Sequence, residues 1–149
     1  MIDYKKFLKS KIDPNCGISE FILDSDISLF YEYLSNDKIK ILEKEYNNPR
    51  INYYQLKIWD SVILIFNHQK LLKSIIIKDS HINFEDYYIG MKFEEAMSRT
   101  TSFYNVDDDE DSIFHVLFKG IKFNLDVDLH DKLYIGSIEI FDFTNREYI

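Results

Sequence analysis

The pattern of hydrophobic and polar positions along this chain predicts two sets of four antiparallel strands. Apolar and polar residues alternate with the period of two that is typical of a strand with one buried face, and turn residues separate the candidate strands. In the first half, the predicted strands cover residues 38–46, 51–59, 62–66 and 71–79. In the second half, they cover residues 101–106, 113–119, 121–129 and 133–143.

A helical pattern precedes each set of strands. After Asp24, a residue type that favours the N-cap, apolar residues recur at helical spacing at Ile27, Phe30 and Leu34. The segment "MKFEEAMSR" at 91–99 likewise places its apolar residues on one helical face. A short amphipathic stretch near the start of the chain predicts an additional N-terminal helix.

The two halves also share a short motif. S-I-x-I-x-D occurs at 74–79 and again at 137–142. Together with the matching order of elements, this motif predicts an α+β fold made of two tandem repeats, at about 15–80 and 83–145. Each repeat would contain one helix followed by a four-stranded antiparallel sheet, with the helices on one face of the sheets. The whole chain, 1–149, is then a single compact domain with a short N-terminal helix.

The predicted strand at 121–129 has one polar and one apolar face. Its polar positions include Asp126 and Asp128, and its apolar positions are Ile121, Phe123, Leu125, Val127 and Leu129. We expect the helices to cover the apolar face and to leave the polar face open, either as an ordinary solvated face or as a binding surface. Such a half-open fold is not expected to bury all its aromatic residues, and Tyr53, Tyr54 and Trp59 are candidate interface anchors.

Composition and charge restrict the function. The chain has 46% hydrophobic and 16% aromatic residues, enough for a substantial core, and a formal net charge of -8. This negative charge argues against nucleic acid or an anionic membrane as partner, because phosphate groups would be repelled. A single cysteine, Cys16, forms no internal disulfide, and the charged N-terminal segment does not resemble a signal peptide. We therefore expect a soluble cytoplasmic protein.

The strongest local charge lies between two predicted strands. Asp107, Asp108, Asp109, Glu110 and Asp111 are consecutive acids, whereas the corresponding turn of the first half reads "NNPR". A turn does not need five acids to fold, and adjacent like charges repel one another. The run also lacks the glycine and the spacing of a calcium-binding loop. It therefore indicates a basic protein partner.

No catalytic constellation is present in the sequence. The four histidines lack metal-ligand spacing, and the hydrolase, phosphate-loop and dinucleotide motifs are missing. Cys16 and His115 would need a third group to orient them as nucleophile and base. A metal-dependent nuclease site at Asp126, Asp128 and Asp131 is an option, but strand alternation explains the first two more simply. We predict a protein that is not an enzyme and that has no cofactor and no metal.

Several motifs resemble those of a known group of proteins. The segment "YIGMKFEEAM" from Tyr88 is similar to a helix start found in the β-lactamase-inhibitor-protein-like fold. The segments "FKGIKFNLD" from Phe118 and "SIEIFDF" from Ser137 resemble the immunity proteins of bacterial polymorphic toxins, including contact-dependent growth inhibition systems. The resemblance extends from about residue 15 to residue 143. The first repeat departs from it, because "LDS" stands where the second repeat has "IGM".

The resemblance implies an immunity protein that binds a cognate toxin and covers its active or target-binding surface. The toxin would be a basic protein, such as a nuclease, whose substrate groove the acidic partner occupies. The alternatives are an adaptor or inhibitor of another basic protein and, third, a metal-dependent hydrolase. The expected toxin-binding residues are Asp107, Asp108, Asp109, Glu110, Asp111, Asp126, Asp128, Tyr53 and Trp59.

Overall fold

The part of the chain that the structure describes forms three short helices and thirteen strands. The computed structural model describes residues 1–34, 39–45, 50–99, 105–108, 114–118 and 120–142, with the backbone alone at 39–45, 50–52, 105–108 and 114–118. The helices are α1 (Tyr4–Phe7), a 3-10 helix (Ile27–Tyr33) and α2 (Phe93–Ser98). The strands are β1 (Ile12–Asp13), β2 (Gly17–Ile18), β3 (Phe21–Ile22), β4 (Ile39–Glu45), β5 (Arg50–Ile58), β6 (Val62–Phe66), β7 (Leu72–Ile77), β8 (Asn83–Phe84), β9 (Tyr87–Tyr88), β10 (Asn105–Asp108), β11 (Phe114–Phe118), β12 (Ile121–Val127) and β13 (Leu133–Phe141).

Eight strands form one antiparallel sheet in the order β10-β11-β12-β13-β7-β6-β5-β4. At its centre, β13 pairs with β7, and the register places Ile138 opposite Ile77 and Ile140 opposite Ile75. All four of these side chains are fully buried. The two S-I-x-I-x-D motifs therefore lie on adjacent strands and pair with each other, which makes one continuous sheet from the two halves of the chain.

The predicted fold class is wrong. Instead of two units, each with a helix and its own four-stranded sheet, the protein is mostly β, with helices of only four, seven and six residues. Hydrogen bonding between β13 and β7 merges strands that we had assigned to separate sheets. Two small ribbons, β1-β2-β3 and β8-β9, were missed because strands of two residues leave no detectable alternation. The derivation of the chain from two repeats stays a prediction.

The first predicted helix differs in its start and its type. Asp26, not Asp24, is the N-cap, and its side chain accepts a hydrogen bond from the backbone N–H of Ser28 at 2.9 Å. Asp24 has a φ of 68°, which belongs to a turn, and forms an ion pair with Lys73. Only Ile27 and Phe30 of this segment are buried, and two buried residues anchor one short 3-10 helix rather than a longer α-helix.

One face of the sheet packs against the helices to form the core. The helices contribute Phe7, Ile27, Phe30 and Ala96 to the same buried cluster as the central isoleucines. Phe21 of β3 completes the N-terminal part, with ring centroids 5.6 Å from Phe7 and 5.8 Å from Phe30. Because the helices are short, aromatic side chains from irregular segments bury much of the apolar face that a long helix would otherwise cover.

The central pairing generates a test of stability. We expect Ile140→Ala to lower the free energy of unfolding by about 2–5 kcal/mol, because it leaves a cavity at a fully buried position. The matched control is Leu129→Ala, whose side chain is fully exposed and whose change should stay within about 0.5 kcal/mol. Urea denaturation followed by circular dichroism measures both. Equal effects of the two substitutions would contradict the central position of Ile140.

Candidate functional site

Two acid-rich segments lie at the same end of the sheet, two strands apart. His115 of β11 is in register with Asp107 of β10 on one side and with Asn124 of β12 on the other. β10 and β12 therefore run in the same direction, and both end at the same end of the sheet. Because neighbouring strands lie about 4.8 Å apart, β10 and β12 run side by side at about 10 Å, and β12 extends two residues farther than β10.

We call this region the acidic end, and it consists of Asp107 and Asp108 in β10, Asp126 in β12, and Asp128 and Asp131 in the β12–β13 turn. Four of these five acids are predicted binding residues, and strand order brings them together from positions well separated in sequence. Asp109, Glu110 and Asp111 lie outside the described residues. The acidic end carries a concentrated negative charge because the side chains of Asp126, Asp128 and Asp131 are all exposed to solvent.

Asp128 fixes the conformation of the β12–β13 turn. Its Oδ1 accepts hydrogen bonds from the backbone N–H of His130 at 2.8 Å and of Lys132 at 3.0 Å. Its own N–H donates to the carbonyl of Lys132 at 2.9 Å. These backbone donors, first Lys132 and then His130, lower the pKa of the Asp128 carboxyl, and Lys92 and Lys132 add to the effect. The carboxylate is therefore ionised and held in place at neutral pH.

Asp126 lies where the hairpin is irregular. Its Oδ1 accepts a hydrogen bond from the N–H of Val127 at 2.9 Å. The register shifts just before it, so that Asn124 pairs with Ser137 whereas Leu125 pairs with Ile135, and Gly136 is the extra residue of a bulge. A Cβ added at Gly136 would approach the Asp126 Cβ to 3.1 Å. Because residue 136 is a glycine, this close contact with the Asp126 side chain is avoided.

The prediction of an open polar face holds only near the acidic end. Asp126 and Asp128 are exposed, but Ser137 and Glu139 farther along are buried at 5% and 6% exposure. Asn124 donates from Nδ2 to Ser137 Oγ at 3.0 Å and to Glu139 Oε1 at 3.1 Å. These polar side chains stabilise one another within the sheet, as buried polar groups require. Alternation in the sequence shows on which face of a sheet a side chain lies, but it does not show whether other residues cover that face. The expectation that the whole polar face is exposed was therefore wrong for this part of the sheet.

Of the three candidate aromatic anchors, Tyr53 is buried, whereas Tyr54 and Trp59 are only partly buried. Tyr53 is only 7% exposed. Trp59 packs in a cluster of rings, with its centroid 5.3 Å from Tyr4 and 5.1 Å from Phe7. It lies in the β5–β6 turn, four strands from β12, which corresponds to about 19 Å. Their role as partner contacts stays a prediction, and the structure does not group them with the acids.

Leu129 is a surface residue that sequence reasoning missed. The alternation placed it on the apolar face of its strand, but β12 ends at Val127 and Leu129 is 101% exposed. The signal for the strand end was present in the sequence. An aspartate that can bond the backbone N–H two residues later starts a turn, and Asp128 does this with His130.

A second polar cluster, also missed, joins the N-terminal helix to the sheet. Asp79 is 7% exposed; its Oδ2 accepts a hydrogen bond from the Tyr4 hydroxyl, and its Oδ1 accepts one from the His81 N–H at 2.9 Å. The His81 Nδ1 is also 2.9 Å from Oδ1. Burial acts to raise the pKa of Asp79, but the hydrogen bonds from Tyr4 and His81 outweigh it, so the pKa is lowered. The cluster anchors α1, and no sequence pattern links Tyr4 with Asp79.

The other chemical candidates are not assembled into a site. Within the residues that the structure describes, no group of three or more His, Cys, Asp or Glu side chains could hold a metal ion. Burial, followed by the nearby Asp13 carboxylate, raises the pKa of the Cys16 thiol and makes it a poorer nucleophile. No helix in the described part of the chain is long and apolar enough to cross a membrane.

Comparison with known proteins gives a likeness of fold. No protein-family model and no curated protein match the sequence. The structure is similar to the crystal structure of the uncharacterized protein yfeY from Escherichia coli, with a TM-score of 0.60 and 12% sequence identity. The match covers 88% of this chain and 99% of that chain. At this identity the likeness shows the fold alone.

The Asp79 cluster predicts how stability depends on pH. Since the pKa of Asp79 is lowered in the folded protein, its carboxylate stabilises the fold above the ordinary aspartate pKa of about 4. That contribution is lost as the pH falls through the lowered value. We expect Asp79→Asn to reduce the free energy of unfolding at pH 7 by about 1–3 kcal/mol. The difference from the wild type should shrink below about pH 4.

Urea denaturation at a series of pH values from 7 to 3 measures this difference. Asp60→Asn is the control, because Asp60 is an exposed turn residue whose replacement should change stability by less than about 0.5 kcal/mol at pH 7. An Asp79→Asn deficit that stays constant across the whole pH series would show that the carboxylate charge is not the stabilising feature.

Proposed function

We propose that this chain is a cytoplasmic immunity protein that binds a basic bacterial toxin domain and neutralises it. In this role the chain acts by binding, without a cofactor or a catalytic step of its own. The partner is a protein rather than nucleic acid or membrane, and the acidic end is the contact surface.

The observation that carries the proposal is the convergence of acids at one end of the sheet. Asp107 and Asp108 lie on one strand and Asp126 and Asp128 two strands away, so the charge depends on the tertiary arrangement. Asp128 contributes a carboxylate that the turn holds in a fixed position. A fixed charge needs less ordering when a partner binds than a charge on a flexible segment does.

Electrostatics favours a basic partner. The formal net charge of the chain is -8, and the acidic end concentrates part of it. Complementary charge can raise association rates by about 10-fold to 10³-fold. Fast capture suits a protein that must bind a toxin before the toxin damages the cell. A nuclease is a suitable toxin because its groove attracts phosphates, and a row of carboxylates can occupy the same groove.

The assignment to immunity rests on the sequence resemblance, carried by "FKGIKFNLD" and "SIEIFDF". Residues 121–126 of the first segment lie in β12, which leads to the acidic end, and residues 137–141 of the second lie in the neighbouring β13. An adaptor or inhibitor of another basic protein is the second candidate, because the same charged surface would serve it. The partner of an immunity protein is toxic to the cell, whereas the partner of an adaptor or of another inhibitor is not expected to be.

The proposal is tested in cells. The reading frame adjacent to this gene would be expressed with and without the chain in a sensitive bacterium, and growth would be measured. We expect growth arrest without the chain and recovery with it, together with a complex that co-elutes in size-exclusion chromatography. A neighbouring product that binds but is harmless would favour the adaptor, and an absence of both binding and protection would overturn the proposal.

Charge neutralisation at the acidic run provides a quantitative prediction. Replacing Asp107, Asp108, Asp109, Glu110 and Asp111 by Asn or Gln should slow association about tenfold at low salt and flatten its salt dependence. Dissociation should change little, because rim charges act mainly on the encounter. Surface plasmon resonance at two salt concentrations measures these rates.

A second variant controls for total charge. It neutralises five exposed acids elsewhere, namely Glu32, Asp60, Glu85, Asp86 and Glu94, and so has the same net charge. We expect it to associate faster than the first variant. If both variants slow association equally, only the overall charge matters and the acidic run is not a docking element.

A further inference from the structure

An apolar stripe leaves the core along β12 and ends at the acidic end. Leu125 is 5% exposed, Val127 is 40% exposed and Leu129 is 101% exposed. Leu133, which pairs with Val127 across the hairpin, is only partly buried. Leu125 belongs to the core and Leu133 packs against it, whereas Val127 and Leu129 are exposed neighbours at the end of the hairpin. Isolated exposed apolar residues are common on protein surfaces, but these two lie next to each other.

The hairpin projects beyond the central sheet. β13 pairs with β7 only from Ile138 onward, whereas its pairing with β12 begins five residues earlier, at Leu133. One of these five residues, Gly136, is the bulge, so at about 3.4 Å per paired residue the hairpin extends about 14 Å past the last residue of β7. The segment before α2 supports the hairpin as far as Tyr134, because Gly90 N donates to Ile135 O at 2.7 Å and Lys92 forms a bridge with Tyr134. The tip itself extends past this support.

Hydrogen bonds close the turn at the projecting tip. Besides the hydrogen bonds to the Asp128 side chain, Asp131 N donates to Asp128 O at 3.2 Å. Asp131 has a φ of 59°, a conformation that aspartate tolerates better than most residues and that closes the turn. Leu129 is thus held in an exposed position by its neighbours. A side chain presented in this way loses little additional conformational freedom when it binds.

Charge around the tip defines the kind of partner. Residues 126–132 contain Asp126, Asp128 and Asp131 against one cation, Lys132, a formal charge of -2 with the histidine neutral. Lys92 lies close enough to Asp128 to lower the pKa of its carboxyl. An exposed leucine with carboxylates nearby in the same turn is complementary to an apolar pocket that has basic residues around its rim on a partner protein. A second copy of this chain is disfavoured, because the two tips would repel each other.

We propose that Leu129 is the anchor of this hairpin and inserts into an apolar pocket with a basic rim on the partner protein. The inference rests on the proposed binding function and deepens it by naming the residue that enters the partner. The acids then guide the encounter, and burial of Leu129 slows dissociation.

The first experiment maps the contact. A photo-crosslinking amino acid would be placed at position 129 and, in a separate variant, at position 29, and each would be irradiated with the product of the adjacent reading frame. Leu29 is a suitable control because it is 62% exposed but lies on the 3-10 helix. We expect an adduct from position 129 whose mass spectrum places it beside lysine or arginine residues of the partner. Adducts from position 29 alone, or between two copies of this chain, would overturn the inference.

The second experiment measures the contribution of the side chain. Leu129→Ala should raise the dissociation constant for that partner by about 10-fold to 100-fold, mainly through faster dissociation. This is the effect expected when a leucine that is buried in the complex is lost. Leu29→Ala should leave the constant within about twofold. Both variants must unfold at the wild-type urea concentration, so that folding does not explain the difference. Equal affinities of the two variants would overturn the inference.

These results separate the inference from the proposed function. Protection of cells with full affinity in Leu129→Ala would leave the immunity function intact and remove the anchor. Conversely, a basic partner that depends on Leu129 but has no toxicity would keep the anchor and remove the immunity function. A neighbouring product that this chain does not bind would overturn both.

Discussion

The pairing of β13 with β7 is the contact on which the rest of the structure depends. It joins strands from the two halves of the chain through Ile75, Ile77, Ile138 and Ile140, all fully buried. Burial of each such side chain contributes about 1.5–3 kcal/mol, so the four together contribute about 6–12 kcal/mol. The three helices are too short to hold two separate sheets, and the continuous sheet provides the rigid platform instead.

The acidic end follows from this platform. Because the sheet fixes the direction of every strand, β10 and β12 end at the same end of the sheet, although Asp107 and Asp128 lie far apart in sequence. The end of β12 and the turn held by Asp128 add three exposed carboxylates there, and repulsion between like charges costs stability in the free protein. The basic partner that we propose would offset that repulsion, so the charge distribution supports the proposed binding function more strongly than total charge does.

Polar side chains in this protein have two separate physical roles. Asp79, Asn124 and Glu139 are buried or partly buried, and their hydrogen bonds stabilise the fold, whereas Asp126 and Asp131 remain in solvent. Asp128 combines the roles, because its hydrogen bonds to the backbone form the turn and leave its charge on the surface. A substitution there changes both conformation and charge, so Leu129 is the sharper probe of binding.

The sequence by itself determined the local elements and the net charge. Alternation located the strands of the main sheet to within a few residues, and the acids at 107–111 indicated a basic partner, because period and charge are local properties. Which strands are neighbours was decided only by tertiary structure, since S-I-x-I-x-D carries no information on its partner. Burial was also decided by the tertiary structure, because it depends on residues that are distant in sequence. Trp59 packs against four aromatic rings, whereas no other residue in the described part of the chain covers the side chain of Leu129.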